Sequence, residues 1–261
     1  MPGHRRRSPP AARPDLLVAG GGPAGMETAR LLAEDGHTVR LLEAGPRLGG
    51  AFRLAAGLRQ HPDYRLLLDW LEGELDRLGV VVHTERPVDE EVLAGRDDAI
   101  VVATGAVGRD AAGLLPAGAG LRDTFDVRTW LATGRRAGHC LIWGADRDGV
   151  AAADHLATTG TTVVLVGSQT TLAPEVGRRA KILTVPRLDH HPSVRIVLDA
   201  EVTELKERRV RIRTAGTEEW IDAPGPLLVS QGTVPDTRLL DTCLRRRPRL
   251  GVYPADEAGA S

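Results

Sequence analysis

The segment that joins the first apolar run to a helical pattern carries three glycines at a spacing that suits phosphate binding. The run at residues 16–19 ends in G-x-G-x-x-G, whose glycines are Gly20, Gly22 and Gly25. In such a turn the first glycine allows a tight bend, the second lets the backbone approach a pyrophosphate, and the third lets helix and strand pack closely. The N–H groups of the helix N-terminus then face the phosphates.

An acidic residue closes the next strand pattern. Glu43 follows Gly25 by 18 residues, directly after the apolar run at 38–42. A carboxylate at this place accepts a hydrogen bond from a ribose hydroxyl. The alternative is a glycine-rich turn that binds nothing, and the flanking strand and helix together with Glu43 weigh against it. We therefore predict that the chain binds an adenine dinucleotide or a fragment of one.

A second turn of this kind, at residues 144–149, departs from the pattern. It reads GADRDG, so Asp146 places a carboxylate where a pyrophosphate needs bare backbone. The next strand ends in VGS at 166–168, with neither an acidic residue for an NAD ribose nor an arginine for an NADP phosphate. The sequence therefore predicts a poor NAD(P)H site.

Other chemical groupings are weaker. Adjacent side chains of the Asp-His-His run at 189–191 would point to opposite sides of a strand and no partner ligands are evident, so we expect a solvated loop and no metal site. Short-chain dehydrogenase chemistry needs Tyr-x-x-x-Lys, but Tyr64 and Tyr253 are followed four residues on by Leu68 and Glu257. No Ser/His/Asp or Cys/His arrangement is discernible, and no catalytic residue is assigned.

Composition limits the class of protein and its partners. The 261 residues suit one large α/β domain or two small ones, and no apolar run is long enough to span a bilayer. A net charge of −1 removes the electrostatic case for a nucleic-acid or membrane partner. Cys140 and Cys243 are isolated, which suits a reducing cytoplasm and excludes a cysteine-ligated iron–sulfur cluster within this chain. Residues 1–14 lack the apolar core of a secretory signal and are expected to form a disordered tail.

Strand and helix patterns alternate along the chain, as in a parallel, doubly wound sheet. The first cycle predicts strands at 15–19, 38–43, 80–82 and 99–103 and helices at 24–35 and 62–78. After a loop at 108–120, a second cycle predicts strands at 140–143, 162–166, 194–198, 200–205, 210–213 and 227–230 and a helix at 149–159. This order predicts an α/β fold of two Rossmann-like dinucleotide-binding units, the second (135–224) inserted in the first (15–134 and 225–261).

Several segments resemble one known family. VAGGGPAGMETARLLAEDGHTVRLLEAGPRLGG at 18–50, the FRLAA that follows, IVVATG at 100–105 and LLVSQGTVPD at 227–236 are similar to the C-terminal nucleotide-binding half of a flavoenzyme group. That group contains 2,4-dienoyl-CoA reductase, trimethylamine dehydrogenase and related old-yellow-enzyme-type proteins, and belongs to the two-dinucleotide-binding flavoproteins. In the family this half follows a flavin-bearing TIM barrel and a four-cysteine iron–sulfur site, and neither is present in this chain.

The resemblance implies a cofactor and a set of site residues. The first unit would hold FAD, or alternatively ADP, through Gly20, Gly21, Gly22, Pro23, Ala24, Gly25, Glu43, Ala44, Arg47, Gly49, Gly50, Val88, Thr104, Gly105 and Asp256. The family's closing Gly-Asp pair is matched by Ala255-Asp256, and Ser261 leaves no room for the family's last helix. Trimethylamine dehydrogenase is similar in having an Ala-Asp turn at the second site, which implies a unit that does not recruit NADPH.

Two functions remain open at this point. The first is an FAD-dependent oxidoreductase module or subunit that passes electrons between its flavin and a separate old-yellow-enzyme-type barrel subunit in a hetero-oligomer. The second is a non-catalytic subunit that binds an adenine nucleotide such as ADP and acts as a scaffold for the barrel. We expect a cytoplasmic location in either case. The substrate is not specified, because in this family it is selected by the half that is missing here.

Overall fold

The computed structural model describes residues 14–59, 61, 63–95, 97–109, 111–114, 123–246 and 251–254. In chain order the strands are β1 (Asp15–Ala19), β2 (Thr38–Leu42), β3 (Val81–His83), β4 (Ala99–Val102), β5 (Ala106–Gly108), β6 (Thr124–Asp126), β7 (His139–Trp143), β8 (Thr162–Val166), β9 (Val194–Val197), β10 (Ala200–Lys206), β11 (Arg209–Thr214), β12 (Thr217–Asp222), β13 (Leu227–Val229), β14 (Thr233–Pro235) and β15 (Gly251–Pro254). The helices are α1 (Pro23–Glu34), α2 (Gly50–Ala56), α3 (Tyr64–Arg77), α4 (Glu90–Leu93), α5 (Ala111–Leu114), α6 (Val127–Ala132), α7 (Arg147–Thr158), α8 (Arg178–Lys181), α9 (Thr184–Asp189) and α10 (Arg238–Arg246).

The described residues divide into two compact units, one inserted in the other. The first comprises residues 14–53, 65–105 and 236–254, and the second comprises 54–64 and 106–235. Each contains a five-stranded sheet whose paired strands are all parallel. The predicted α/β class, with two Rossmann-like units and the second inserted in the first, is confirmed.

The first unit is built on a sheet with the strand order β15-β4-β1-β2-β3. The chain goes from β1 through α1 to β2 on one side and returns to β4 on the other side of β1, so the carboxyl ends of β1, β2 and β4 are neighbours at a reversal of strand order. α1 buries Gly25, Met26 and Ala29, while Leu17 and Ile100 are fully buried inside the sheet. The parallel strands therefore carry apolar residues on successive positions.

The second unit has the strand order β6-β13-β7-β8-β9, and a separate antiparallel sheet β10-β11-β12 belongs to the same unit. Alternate residues of β7 pack in opposite directions, as strand geometry requires. Cys140 and Ile142 join a core cluster with residues of α7, whereas Leu141 joins a cluster with residues of the antiparallel sheet. β7 is therefore a central parallel strand that is covered on both faces.

The sheet pairing differs from the predicted domain limits at two strands. β6 and β13 fall in segments that the sequence analysis assigned to the first domain, but both are strands of the second sheet, with β13 between β6 and β7. All three residues of β13 are buried. A short buried strand has the same apolar pattern in either sheet, so the sequence did not distinguish the two places.

Two further points concern the ends of the chain and membranes. Apart from Pro14, the expected disordered tail lies outside the described residues, as does most of the predicted loop at 108–120. Among the helices in the described ranges, none combines the length and the apolar character that crossing a membrane requires.

We predict that the sheet core of the first unit is sensitive to loss of volume. Leu17→Ala removes a fully buried side chain in β1 and should lower the free energy of unfolding by about 2–5 kcal/mol. Leu31→Ala, on the exposed side of α1, is the matched control and should change it by less than about 0.5 kcal/mol. Urea unfolding followed by circular dichroism measures both; equal losses for the two variants would contradict this assignment of the core.

Candidate nucleotide-binding site

The turn between β1 and α1 has room only for glycine at two places. Gly20 has φ +112°, and a Cβ built on it would lie 2.2 Å from the carbonyl oxygen of Ala103. A Cβ on Gly25 would lie 1.9 Å from the carbonyl oxygen of Gly20. Because both contacts are with backbone, no side-chain movement could relieve them. The two glycines therefore let the N-terminus of α1 lie directly against the carboxyl end of β1.

The N-terminus of α1 itself is uncovered. Gly22 is its N-cap residue, with φ −70° and ψ 175°, and a Cβ on Gly22 would meet nothing within 4 Å. Pro23 occupies the first helical position, no side chain caps this end, and the first turn contains no acidic residue. Backbone N–H groups and the positive end of the helix dipole are thus available to an anion, with open space in front of Gly22.

Glu43 is held in place beside this turn by backbone amides. Its Oε2 accepts from Gly21 N–H at 2.7 Å, and its Oε1 accepts from Gly45 N–H at 2.6 Å. Each carboxylate oxygen has a second lone pair, so these bonds orient Glu43 while leaving it able to accept from a ribose hydroxyl. The residue closes β2 and lies at the same sheet end as the glycine turn.

The loop after Glu43 is tied back to the glycine turn. Gly49 N–H donates to the carbonyl oxygen of Gly21 at 2.7 Å. Gly49 and Gly50 both have positive φ (+104° and +48°), and a Cβ on Gly50 would lie 3.5 Å from the Cα of Gly22. The structure thus brings these two predicted site residues to the turn between β1 and α1.

A cavity of about 580 Å³ opens at the carboxyl ends of β1, β2 and β4. The predicted site residues that line it are Gly20, Glu43, Ala44, Val88 and Thr104. Gly105, next along the chain, has φ +73°. This volume is within the range of small-molecule sites and lies where ligands bind in open α/β sheets.

The residues that sequence reasoning missed come from the return of the chain into the first unit. Asp236 lines the cavity; its backbone N–H donates to the carbonyl oxygen of Gly105 at 2.9 Å, and its carbonyl accepts from the Thr104 hydroxyl at 2.8 Å. Arg238, Leu239 and Thr242 of α10 also line it. One sequence signal could have identified Asp236: it ends the segment 227–236, which resembles the flavoenzyme family.

The charge around this cavity is predominantly negative. Among the described residues that line it, four are acidic (Glu43, Asp89, Glu90 and Asp236) and one, Arg238, is basic. Side-chain hydrogen bonds from Arg238, at 2.6 and 2.8 Å, lower the pKa of Asp236, which therefore stays ionised. This distribution suits ribose hydroxyls and opposes a 2′-phosphate.

Two predicted site residues do not join this group. Arg47 lines a different cavity in the same unit, of about 660 Å³, together with residues of α3 such as Glu72 and Asp76. Asp256 lies outside the described residues. The structure therefore brings together the glycine turn, Glu43, Ala44, Val88 and Thr104, but not Arg47.

The turn between β7 and α7 repeats the close packing of the first. Gly144 has φ +128°, and a Cβ on it would lie 1.5 Å from the carbonyl oxygen of Ser230. A Cβ on Gly149 would lie 2.0 Å from the carbonyl oxygen of Gly144. The second unit thus keeps the two glycines that bring a helix onto a strand.

The N-terminus of α7 is covered by carboxylates of the chain itself. Asp146 is the N-cap: its Oδ1 accepts from Gly149 N–H at 2.9 Å and from the Ser230 hydroxyl at 2.5 Å, and its Oδ2 accepts from Gly232 N–H at 2.8 Å. Glu175 accepts from Arg147 N–H at 2.5 Å. These carboxylates bind the N–H groups that a dinucleotide pyrophosphate would need.

Among the side chains of the second unit that the structure describes, none stands out as a catalytic group. Burial raises the pKa of the Cys140 thiol to about 12, so it is not a thiolate nucleophile at neutral pH. The two histidines of the Asp-His-His run contact backbone: His190 Nδ1 lies 2.7 Å from the carbonyl oxygen of Pro186, and His191 Nδ1 accepts from Ser193 N–H at 3.3 Å. Within the described ranges, no group of three or more potential metal ligands occurs.

Comparison with known proteins supports this architecture. N,N-dimethylglycine/sarcosine dehydrogenase of Chromohalobacter salexigens is 38% identical over 160 residues, which is 58% of this chain and 23% of that protein. A solved complex of 2-naphthoyl-CoA reductase with 2-naphthoyl-CoA superposes with a TM-score of 0.84 at 23% identity, covering 94% of this chain and 36% of the other. The 6-hydroxypseudooxynicotine amine oxidase of Pseudomonas geniculata superposes with a TM-score of 0.80 at 25% identity, covering 96% and 40%.

The relatives are thus much longer than this chain, which spans about a quarter to two fifths of them. The predicted resemblance to the nucleotide-binding half of longer flavoenzymes is confirmed. The profile of one family, described as pyridine nucleotide-disulphide oxidoreductase, matches residues 14–260. The chain therefore belongs to the pyridine nucleotide-disulphide oxidoreductase family.

Proposed function

We propose that this chain is an FAD-dependent oxidoreductase module that acts in electron transfer with a separate catalytic polypeptide, an old-yellow-enzyme-type barrel subunit in a hetero-oligomer. The observation that carries the proposal is the contrast between two helix N-termini. That of α1 is uncapped beside Glu43, whereas that of α7 is covered by Asp146 and Glu175. One dinucleotide turn is open to a phosphate and the other is closed by the chain itself.

The residues of the first site fit the adenosine and pyrophosphate end of FAD. The space in front of Gly22 and the N–H groups of α1 would take the pyrophosphate, and Glu43 would accept from the ribose. Val88 and Ala44 line the cavity that would receive the adenine. When bound, the flavin would supply the redox chemistry, accepting and passing on electrons, while the chain supplies its binding and orientation.

The proposal also includes a partner polypeptide and a cellular location. The matching parts of the relatives continue into much longer chains, so we propose that the remaining chemistry is carried by another polypeptide. The two cysteines are isolated in sequence, as suits a reducing compartment, and we propose a cytoplasmic location.

A second candidate is a non-catalytic subunit that binds ADP and acts as a scaffold for the barrel. One consideration favours it: the described residues to which we give a role, Gly22, Glu43, Ala44 and Val88, would all contact the adenosine and pyrophosphate part of the cofactor. Mass spectrometry of nucleotide released from the native protein separates the two candidates, since recovered FAD supports the first and recovered ADP alone supports the second.

The first test of the proposal is the visible spectrum of the purified full chain. We expect a flavin absorption band, either as isolated or after incubation with FAD and removal of the excess. The absence of this band under both conditions would contradict the oxidoreductase proposal.

We predict that Gly22→Ala weakens nucleotide binding without affecting the fold. The added methyl meets no protein atom within 4 Å but enters the space through which a pyrophosphate approaches the backbone. FAD and ADP affinity should fall by roughly tenfold or more, while the thermal unfolding midpoint stays within a few degrees. Gly138→Ala, also open to solvent, is the matched control and should bind as the wild type does. If Gly22→Ala binds FAD and ADP as tightly as the wild type, the phosphates do not bind at this turn.

We predict that the wild type does not bind NADH or NADPH at micromolar concentrations and that Asp146→Gly gains affinity. The substitution removes a carboxylate from the N-terminus of α7. This carboxylate would oppose a pyrophosphate by charge and by size, and removing a penalty of a few kcal/mol should raise the affinity for NADH or NADPH by roughly a hundredfold. The missing ribose partner after Val166 should limit the gain, and adding Glu175→Gln should increase it. Calorimetric titration with both cofactors provides the measurement.

The matched control for this substitution is Asp126→Gly, which removes an equivalent N-cap bond, to Thr129 N–H at 2.9 Å, from α6 of the same unit. It should lower stability by about 1 kcal/mol or less, as expected for loss of a cap, without any gain in NADH affinity. Micromolar binding of either cofactor by the wild type would show that the second site is functional and would favour a complete NAD(P)H-to-flavin reductase.

A further inference from the structure

The first turn of α10 forms part of the wall of the cavity at the carboxyl ends of β1, β2 and β4. Arg238, Leu239 and Thr242 line this cavity, and Arg238 is the one basic residue among the described residues that do so. In the proposed nucleotide complex the N-terminus of α1 takes the phosphates and Glu43 the ribose. The base then lies in the rest of the cavity, which Val88 and α10 both line.

The guanidinium of Arg238 is held along one edge by Asp236. Its Nε donates to Oδ1 at 2.8 Å and its Nη2 donates to Oδ2 at 2.6 Å. A guanidinium that is bonded to a carboxylate in this way keeps both of its planar faces free, and these faces stack on aromatic rings. Since the Arg238 side chain is 84% exposed, little of the chain itself covers them.

The same contact makes Arg238 a poor partner for a phosphate. Its positive charge is balanced by the carboxylate of Asp236, and the other acidic residues described in the lining, Glu43, Asp89 and Glu90, add negative charge. These carboxylates would repel a phosphate, whereas an uncharged base meets no such repulsion. The free faces of the guanidinium therefore suit a base better than its charge suits a phosphate.

Asp236 is itself fixed by the segment that follows β4. Its backbone N–H donates to the carbonyl oxygen of Gly105 at 2.9 Å, and its carbonyl oxygen accepts from the Thr104 hydroxyl at 2.8 Å. The end of β4 thus determines the place of Asp236, and Asp236 determines the place of the Arg238 guanidinium. A planar group held in this way loses little conformational freedom when a ligand covers its face.

The helix that carries Arg238 is anchored to the rest of the first unit. Cys243 is fully buried, and Leu239 and Leu240 pack against the same apolar cluster. The last residue of α10, Arg246, forms an ion pair with Glu90 of α4 at 2.6 Å. This wall of the cavity is therefore in place before a ligand enters.

We propose that Arg238 binds the adenine base of the nucleotide by stacking its guanidinium on the ring, with Asp236 as the residue that positions it. Stacking of bases on arginine planes is a recurring mode of base recognition. The inference rests on the proposed binding of an adenine nucleotide at this site. It does not depend on a flavin, because ADP carries the same base.

Calorimetric titration of the full chain with ADP tests whether the planar face or the charge of Arg238 matters. Arg238→Lys keeps the charge but loses the plane, and it should weaken ADP binding by roughly tenfold. The double variant Asp236→Asn with Arg238→Phe removes both charges but restores a planar ring, and it should bind within roughly threefold of the wild type. Asp236→Asn with Arg238→Leu has the same net charge without a plane and should bind as weakly as Arg238→Lys.

The matched control is Arg77→Ala. Arg77 is an exposed arginine of the same unit that Glu74 holds along one edge, with bonds of 2.9 and 2.7 Å, but it does not line the cavity. This variant should bind ADP as the wild type does. The thermal unfolding midpoint of each variant checks that the fold is retained.

The outcomes separate this inference from the proposed function. A wild type that binds ADP but not FAD, with the variants ranked as above, would support the inference and contradict the flavin. ADP binding that Arg238→Lys leaves unchanged, or that the phenylalanine and leucine double variants weaken equally, would overturn the inference alone. A wild type that binds neither nucleotide would overturn both.

Discussion

The approach of a helix N-terminus to the end of a parallel strand is the constraint on which both units depend. At Gly20 and Gly25, and again at Gly144 and Gly149, an added Cβ would come within 2.2 Å of a backbone oxygen. Only glycine permits this contact, because the clash is with main chain and not with a side chain that could turn away. The contact aims the amide donors of the helix at the space beyond the strand, and it does so whether or not a ligand is bound.

The four residues between these glycines differ at every position between the two turns, and the contrast between Gly22 and Asp146 bears directly on the helix N-terminus. Gly22 leaves the amides of α1 uncovered, whereas Asp146 turns its carboxylate back onto the amide of Gly149 and also accepts from Ser230 and Gly232. A carboxylate within the chain loses no translational freedom when it binds there, whereas a free dinucleotide does. A dinucleotide would also have to displace the three hydrogen bonds that the Asp146 carboxylate accepts. The same backbone geometry thus leaves the helix N-terminus uncapped in one unit and capped by a carboxylate in the other.

The features that could be predicted from the sequence are those that local spacing determines. The glycine turn, Glu43 and the strand and helix patterns depend on residues close in sequence, and β8 was predicted at its observed bounds. Long-range partners were not predictable in the same way. Glu175 reaches an amide 28 positions away, and Asp146 reaches one 86 positions away, with no pattern that marks either pair.

Arg47 illustrates the same limit over a shorter distance. It lies only four residues after Glu43, yet the two line different cavities, because the chain turns back at Gly45, whose amide bonds to Glu43, and is tied to the glycine turn again at Gly49. The family resemblance had placed Arg47 in the same site as Glu43. Val88 and Asp236, far away in sequence, line the cavity with Glu43. Val88 follows β3, which pairs with β2 in the parallel sheet, and Asp236 is bonded to Thr104 and Gly105 at the carboxyl end of β4. In this fold the order of strands in the sheet, more than proximity along the chain, determines which residues share a site.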